Sequence, residues 1–174
     1  MKFVKVNGNP WGKQLPDCMI RVPSLALNMS YPYVCKLYKI ACEDGRGIII
    51  DEKITLSKFF DAFGDYVDEY DFSGFTSSDN TISYPSVEQW CEEHKNTGKY
   101  LLGLKHSKDL DFLGTHHATY VDTDKQILYD KFNCKDMIVL GFARFKPDKI
   151  LSNKDKNSRF QHIFRKKLKE NFSI

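Results

Sequence analysis

The sequence predicts an α+β fold, with N-terminal helices packed on a C-terminal antiparallel sheet. Up to about residue 98, apolar side chains recur at helical spacing behind residues that favour helix N-caps. Between residues 100 and 145 the pattern changes to short alternating or apolar runs separated by turn residues, which is typical of strands. Helices followed by strands along the chain indicate an α+β layer architecture.

One short strand and four helices are expected in the first half of the chain. Residues 1–6 alternate apolar and polar side chains and predict the strand. The first helix begins at Cys18 behind Asp17 as its N-cap, and Pro23 is expected to kink or shorten it. The N-caps of the later helices are Ser30, Thr55 and Ser86, and the glycines that end them are Gly45, Gly64 and Gly98.

Four strands are expected in the second half, over residues 100–104, 115–122, 126–132 and 137–145. The second and third are joined by residues 123–125, where a tight hairpin turn is expected. The last strand is the most apolar.

Composition limits the class of protein. The chain has 174 residues, of which 41% are hydrophobic and 14% aromatic, so residues 1–150 are expected to form a single folded domain. No apolar run is long enough to span a membrane, the N-terminal residues do not resemble a signal peptide, and no membrane partner is expected. Five cysteines, an odd number without a framework spacing, favour free thiols in a reducing compartment.

Two segments are expected to lie outside the core. Residues 64–83 are acidic and rich in Gly and Ser, and predict an exposed loop insertion. Residues 151–174 predict a basic tail or helix, and from residue 146 onward nine Lys or Arg face three Asp or Glu. Such a tail can contact nucleic acid or an acidic partner, although a solvated terminal helix has the same composition.

The chemistry-bearing residues are a cysteine and a distant histidine. Cys18 is placed in the first turn of a helix, where the helix dipole favours thiolate over thiol. His117 lies near the start of a predicted strand, and a thiol nucleophile needs such a base. His116 competes with His117 for this role, because a slip of one residue reverses the faces of a strand.

A carboxylate completes this arrangement. The predicted hairpin turn returns Asp130 to about the level of His117, where it can orient the imidazole as in a Cys-His-Asp triad. Asp122 is nearer in sequence but lies on the opposite face of the strand. The helix of Cys18 is expected to cover the sheet face of His117, and Arg21 is expected to form a salt bridge to Asp17 or a neighbouring carboxylate.

No metal or cofactor is expected. Cys91 and His94 are three residues apart on one helix, a workable spacing for metal ligands, but neither neighbouring segment supplies a second pair. The chain has no Gly-rich phosphate loop.

Several segments resemble the small papain-like cysteine peptidase-fold proteins of phages and bacteria. The resembling segments are Asp17-Cys18-x-x-Arg21, residues 25–34, residues 87–102, His117-Ala118-Thr119 and residues 127–132, in the order of that family. The resemblance implies a papain-like fold and a thiol hydrolase (a peptidase, isopeptidase or amidase) that acts on a peptide or protein through an acyl-enzyme. It implies a viral or bacterial protein of the cytosol, a phage-infected host included.

By position, the resemblance implies Cys18 as nucleophile, His117 as base and Asp130 as the orienting residue. It implies Gln14 as a donor to the oxyanion, with Asn9 as the alternative, together with the backbone N–H of Cys18. A second function stays open, because a fold does not determine an activity. The protein is then a non-catalytic papain-like binding module that engages a host protein or, through its basic tail, nucleic acid.

Overall fold

The computed structural model describes residues 1–6, 17–40, 54–77, 81–105 and 117–151. Its helices are α1 (Cys18–Ala26), α2 (Tyr31–Leu37), α3 (Leu56–Phe63) and α4 (Val87–Glu93). All four predicted N-cap positions are confirmed. The side chains of Thr55 and Ser86 accept backbone hydrogen bonds there, and Ser86 and Gln89 form the predicted capping box.

The ends of the first two helices differ from the prediction. Instead of running on toward Gly45, α2 ends at Leu37, and Lys39 adopts a positive φ of 57°. The N–H of Ile40 then donates to the carbonyl of Cys35. Asn28 has the same role after α1, with a φ of 54°. These are Schellman-type helix ends that contain no glycine, so the positions of glycine in the sequence do not indicate them.

Pro23 does not end α1, which continues to Ala26. A proline cannot donate to the carbonyl four residues earlier, which here belongs to Met19. The hydroxyl of Tyr38, just beyond α2, donates to that carbonyl at 2.8 Å. Because the orphaned acceptor has a partner, the helix tolerates the proline.

The strands form one six-stranded sheet in the order β1-β5-β4-β3-β6-β2. Their bounds are β1 Lys2–Lys5, β2 Val67–Asp71, β3 Lys99–Lys105, β4 His117–Asp122, β5 Ile127–Asp130 and β6 Ile138–Phe145. The strands of the second half pair antiparallel as predicted, but β1 joins parallel to β5. The sheet is therefore mixed, and it is not purely C-terminal.

The segment predicted as an acidic loop is in part an edge strand. β2 pairs antiparallel with β6, and Arg144 of β6 forms ion pairs with Asp68 and Glu69. β2 is the outermost strand of the sheet, and its acidic side chains are exposed to water. Charged side chains are common on such edge strands.

Two partly buried aromatic residues follow β2. Phe72 and Phe75 lie over Gly103 and Gly141, which face each other across β3 and β6. A Cβ at either glycine would collide with these rings. Because the two glycines have no side chain, the segment after β2 can pack on the sheet face that α1, α2 and α3 also cover.

Helices lie on both faces of the sheet. On the first face, α1, α2 and α3 pack against side chains that include Leu101, Ala118 and Tyr120. On the second face, α4 packs against side chains that include Leu102, Val121 and Leu128. Within the described ranges no helix is both long and apolar enough to cross a bilayer. The basic tail is predicted over residues 151–174, of which residues 152–174 lie outside the described residues.

Candidate active site

Cys18 is the first residue of α1 and is half-buried. Asp17 occupies the N-cap position, but its carboxylate makes no capping hydrogen bond. In the part of the chain that the structure describes, nothing accepts a hydrogen bond from the backbone N–H of Cys18. The sulfur therefore lies beside a helix N-terminus whose first backbone amide does not donate to the carboxylate of Asp17.

His117 is the first residue of β4, and its ring lies close enough to the side chain of Cys18 to interact with it electrostatically. The ring atom Nε2 lies 2.6 Å from Oδ2 of Asp130, which leaves Nδ1 as the ring nitrogen available to the sulfur. One difference from the prediction concerns the helix. α1 covers the face of Ala118 and Tyr120, whereas strand alternation assigns His117 to the other face. Sulfur and ring meet because each stands at the very start of its element.

Asp130 is the last residue of β5 and is fully buried. Two donors reach its Oδ1, namely Nη2 of Arg21 at 2.9 Å and the backbone N–H of Lys131 at 2.6 Å. Its Oδ2 accepts from His117 and from the thiol of Cys134, the latter at 3.5 Å. A buried carboxylate with this many donors is stable as the anion.

The predicted salt bridge of Arg21 forms, and it reaches both acids. Nη1 lies 2.8 Å from Oδ1 of Asp17, and Nη2 contacts Asp130. Asp17 also accepts from Nζ of Lys131 at 2.7 Å and from the hydroxyl of Tyr31 at 3.1 Å. These contacts join the first turn of α1 to the end of β5.

The pKa values of the three residues shift in mutually consistent directions. Burial raises the pKa of the Cys18 thiol, but the hydrogen bond and charge of His117 outweigh it, so the net shift is downward. Burial lowers the pKa of His117, but its bonds to Asp130 and Cys18 raise the net pKa to about 9. Burial raises the pKa of Asp130, and His117 and Arg21 reverse this to a net decrease. The group therefore favours a thiolate, an imidazolium and a carboxylate.

Phe132 packs beside His117 at an exposed position. Its ring centroid is 4.9 Å from that of His117, and its side chain is 49% exposed. An exposed aromatic ring next to the imidazole is suited to contact an apolar part of a bound molecule.

The other sequence candidates do not join this group or lie outside the described residues. Gln14, Asn9 and His116 belong to the latter class. Asp122 accepts from the backbone N–H of Lys125 within the hairpin turn. His94 stacks on Trp90 and bonds to its carbonyl through Nδ1, while Cys91 is buried in the second core.

A metal ion is a second interpretation of the site. One ligand atom each from His117, Asp130 and Cys134 lie within 4.8 Å of one another. However, two ligands of a tetrahedral zinc ion are roughly 3.3 Å apart, and Nε2 and Oδ2 are only 2.6 Å apart. The guanidinium of Arg21 already neutralises the same carboxylate. The donor set therefore fits a hydrogen-bonded acid–base pair better than a metal site.

Three residues that complete the hydrogen bonds of this site were not foreseen from the sequence: Tyr31, Lys131 and Cys134. Tyr31 and Cys134 carry no pattern in the sequence that relates them to the site. Lys131 has only its position after Asp130 as a signal.

Comparisons with protein-family models, with curated proteins and with solved structures find no match. What this group can do is therefore inferred from its own chemistry. A thiolate that is paired with an imidazolium can attack an electrophilic carbon, and the imidazolium can then protonate a leaving group.

Proposed function

We propose that the protein is a cysteine-dependent hydrolase with a papain-like fold, in which Cys18, His117 and Asp130 act as a triad. The observation that carries the proposal is the 2.6 Å contact between the His117 imidazole and the buried carboxylate of Asp130, with the side chain of Cys18 near the same ring. Its support is chemical, because each member favours the ionisation state that a thiol hydrolase needs.

In the proposed reaction, the Cys18 thiolate attacks the carbonyl carbon of a peptide, isopeptide or other amide. The carbonyl oxygen becomes an oxyanion, which the backbone N–H of Cys18 and the side chain of Gln14 stabilise. The imidazolium of His117 gives its Nδ1 proton to the leaving amine as the C–N bond breaks, which leaves a thioester. Neutral His117 then takes a proton from water, hydroxide attacks the thioester, and the acid and the Cys18 thiolate are released.

Asp130 keeps the ring in the orientation that presents Nδ1 to the sulfur, and it stabilises the imidazolium. The exposed ring of Phe132 would contact an apolar side chain of the substrate. A thiolate nucleophile needs a reducing compartment, which is consistent with a bacterial or phage-infected cytosol.

The test is the rate at which iodoacetamide alkylates Cys18 as a function of pH, located by peptide mass. We expect the half-maximal rate at a pH below that of an ordinary thiol, about 8.5. The profile should move up in His117→Ala, because the imidazolium that stabilises the thiolate is gone. His94→Ala is the matched control, since His94 packs on Trp90 and leaves the profile unchanged.

Cys91 provides an internal reference, because burial raises its pKa to about 12 and it should react slowly throughout. If Cys18 reacts like an ordinary thiol whether or not His117 is present, the triad is wrong. The binding module would then be tested by salt-sensitive association with nucleic acid that survives Cys18→Ala and is lost on removal of residues 152–174.

A further inference from the structure

Arg21 is among the largest fully buried side chains of the described protein, and it is the only arginine among them. Burying a guanidinium is unfavourable unless it is paired. It is paired twice, because Nη1 and Nη2 each contact a different buried carboxylate, at 2.8 and 2.9 Å. One planar group therefore joins Asp17, the residue before Cys18, to Asp130 of the proposed triad.

The first contact determines what Asp17 does. An aspartate at an N-cap ordinarily turns its carboxylate onto the amides of the first helical turn. Here Arg21 and Lys131 contact one oxygen and Tyr31 the other. The carboxylate thus makes no capping bond to the first turn of α1, which begins with the Cys18 N–H that the proposed mechanism uses for the oxyanion.

The second contact determines the rotation of the Asp130 carboxylate. Arg21 and the Lys131 N–H hold Oδ1, which leaves Oδ2 directed at Nε2 of His117. With Oδ1 held by two donors, rotation about the Cβ–Cγ bond would break two short contacts at once.

We propose that Arg21 is the positioning residue of this site: its two Nη groups aim Asp130 at His117 and hold the Asp17 carboxylate away from the first turn of α1. This role rests on the proposed function. It explains why a single residue of α1 touches both acids, and it requires the guanidinium fork. An ammonium group in its place could neutralise the charge but could not present two fixed, divergent N–H donors.

The test uses Arg21→Lys, which keeps the positive charge and removes the fork. Two readouts are taken on the full chain. The first is the pH profile of Cys18 alkylation, where we expect the half-maximal rate at higher pH than in the wild type. The second is the low-field proton resonance of the His117 Nε2–H in protein with ¹⁵N-labelled histidine, which we expect to shift upfield or disappear.

Two variants serve as matched controls. Arg144→Lys makes the same chemical change at a half-exposed arginine that pairs with Asp68 and Glu69. Lys131→Met removes a positive charge from Asp17 but leaves both contacts of Arg21 in place. Both should keep the wild-type His117 resonance, and circular dichroism should show every variant folded.

Each result has one meaning. A folded Arg21→Lys protein with an unchanged resonance and an unchanged alkylation profile overturns the positioning role but leaves the triad intact. A wild-type Cys18 that reacts as an ordinary thiol overturns the proposed function itself. If Arg21→Lys does not fold, Asp17→Asn is used instead; it keeps the contact between Arg21 and Asp130, so loss of the His117 resonance there would overturn the proposal.

Discussion

Nε2 of His117 and Oδ2 of Asp130 lie 2.6 Å apart, although the two residues are not direct partners across the sheet. The ladder between β4 and β5 pairs Tyr120 with Tyr129, and one further step places Thr119 opposite Asp130. The contact is thus diagonal, between residues on one face of adjacent strands. It brings a half-buried imidazole to a fully buried carboxylate.

The first prediction concerns this carboxylate. Asp130→Asn should lower the free energy of unfolding by about 3 kcal/mol, because it removes the charge that a buried arginine needs. It should also raise the pH of half-maximal Cys18 alkylation, because His117 loses the anion that stabilises its imidazolium. Urea unfolding and the alkylation profile measure the two effects.

Asp124→Asn is the control for that change. Asp124 is exposed in the hairpin turn, so the same substitution there should alter stability by no more than about 0.5 kcal/mol. Equal effects of the two substitutions would mean that the buried network around Asp130 contributes nothing particular to stability.

The second prediction concerns pH. The pKa of folded His117 is raised to about 9, from about 6.5 in an unfolded chain. Its contribution to stability is therefore complete below about pH 6.5, where both states are protonated, and it is lost as the pH rises through the folded pKa. A shift of this size corresponds to at most about 3 kcal/mol.

The Cys18 thiolate acts in the opposite direction, because its lowered pKa adds stability as the pH rises. The His117 contribution is therefore measured in the Cys18→Ala background, where the pKa of His117 retains only the increase due to Asp130. The difference in unfolding free energy between Cys18→Ala and the double variant with His117→Gln should shrink as the pH rises above about 6.5. A difference that is constant from pH 5.5 to 9 would contradict a raised pKa.

The third prediction concerns the close approach of Phe72 to the sheet. In Gly141→Ala the new Cβ would meet the Phe72 ring and lie 2.7 Å from the carbonyl oxygen of Asp71. We expect a loss of about 2 kcal/mol, because backbone cannot move aside as a flexible side chain does. Thermal and urea unfolding measure it.

Gly64→Ala provides the opposite case within the same chain. Gly64 follows α3 with helical φ and ψ of −53° and −39°, and no atom lies near its missing Cβ. Alanine should therefore stabilise by about 0.5 kcal/mol through the unfolded state. If both alanine variants behave alike, the packing of the segment after β2 on the sheet is wrong.

Much of the secondary structure could be predicted because it depends on neighbours in the chain. The N-caps at Thr55 and Ser86 each need only a hydroxyl and an amide three residues later. The strand β2 could not be predicted in this way. Its acidic residues disfavour a strand locally, and only pairing with β6 and the ion pairs of Arg144 stabilise it.

Within the candidate site, the approach of His117 and Asp130 follows from local rules, since a short turn sets the register of the hairpin that contains Asp130. Local rules do not determine which face of the sheet α1 covers. Strand alternation assigns His117 to one face, whereas the apolar residues of α1 pack on the other. The sulfur reaches the ring only because both residues stand at the ends of their elements.

The sequence by itself determined the order of elements, the start of α1 at Cys18 and the spacing that returns Asp130 toward His117. Each of these depends on hydrogen bonds and side-chain alternation within a few residues. Only the tertiary structure decided that Arg21 would span Asp17 and Asp130, and that Tyr31, Lys131 and Cys134 would complete their hydrogen bonds. A buried ion pair forms between residues more than a hundred positions apart because the fold removes both from water at one point, and no local pattern in the chain records that.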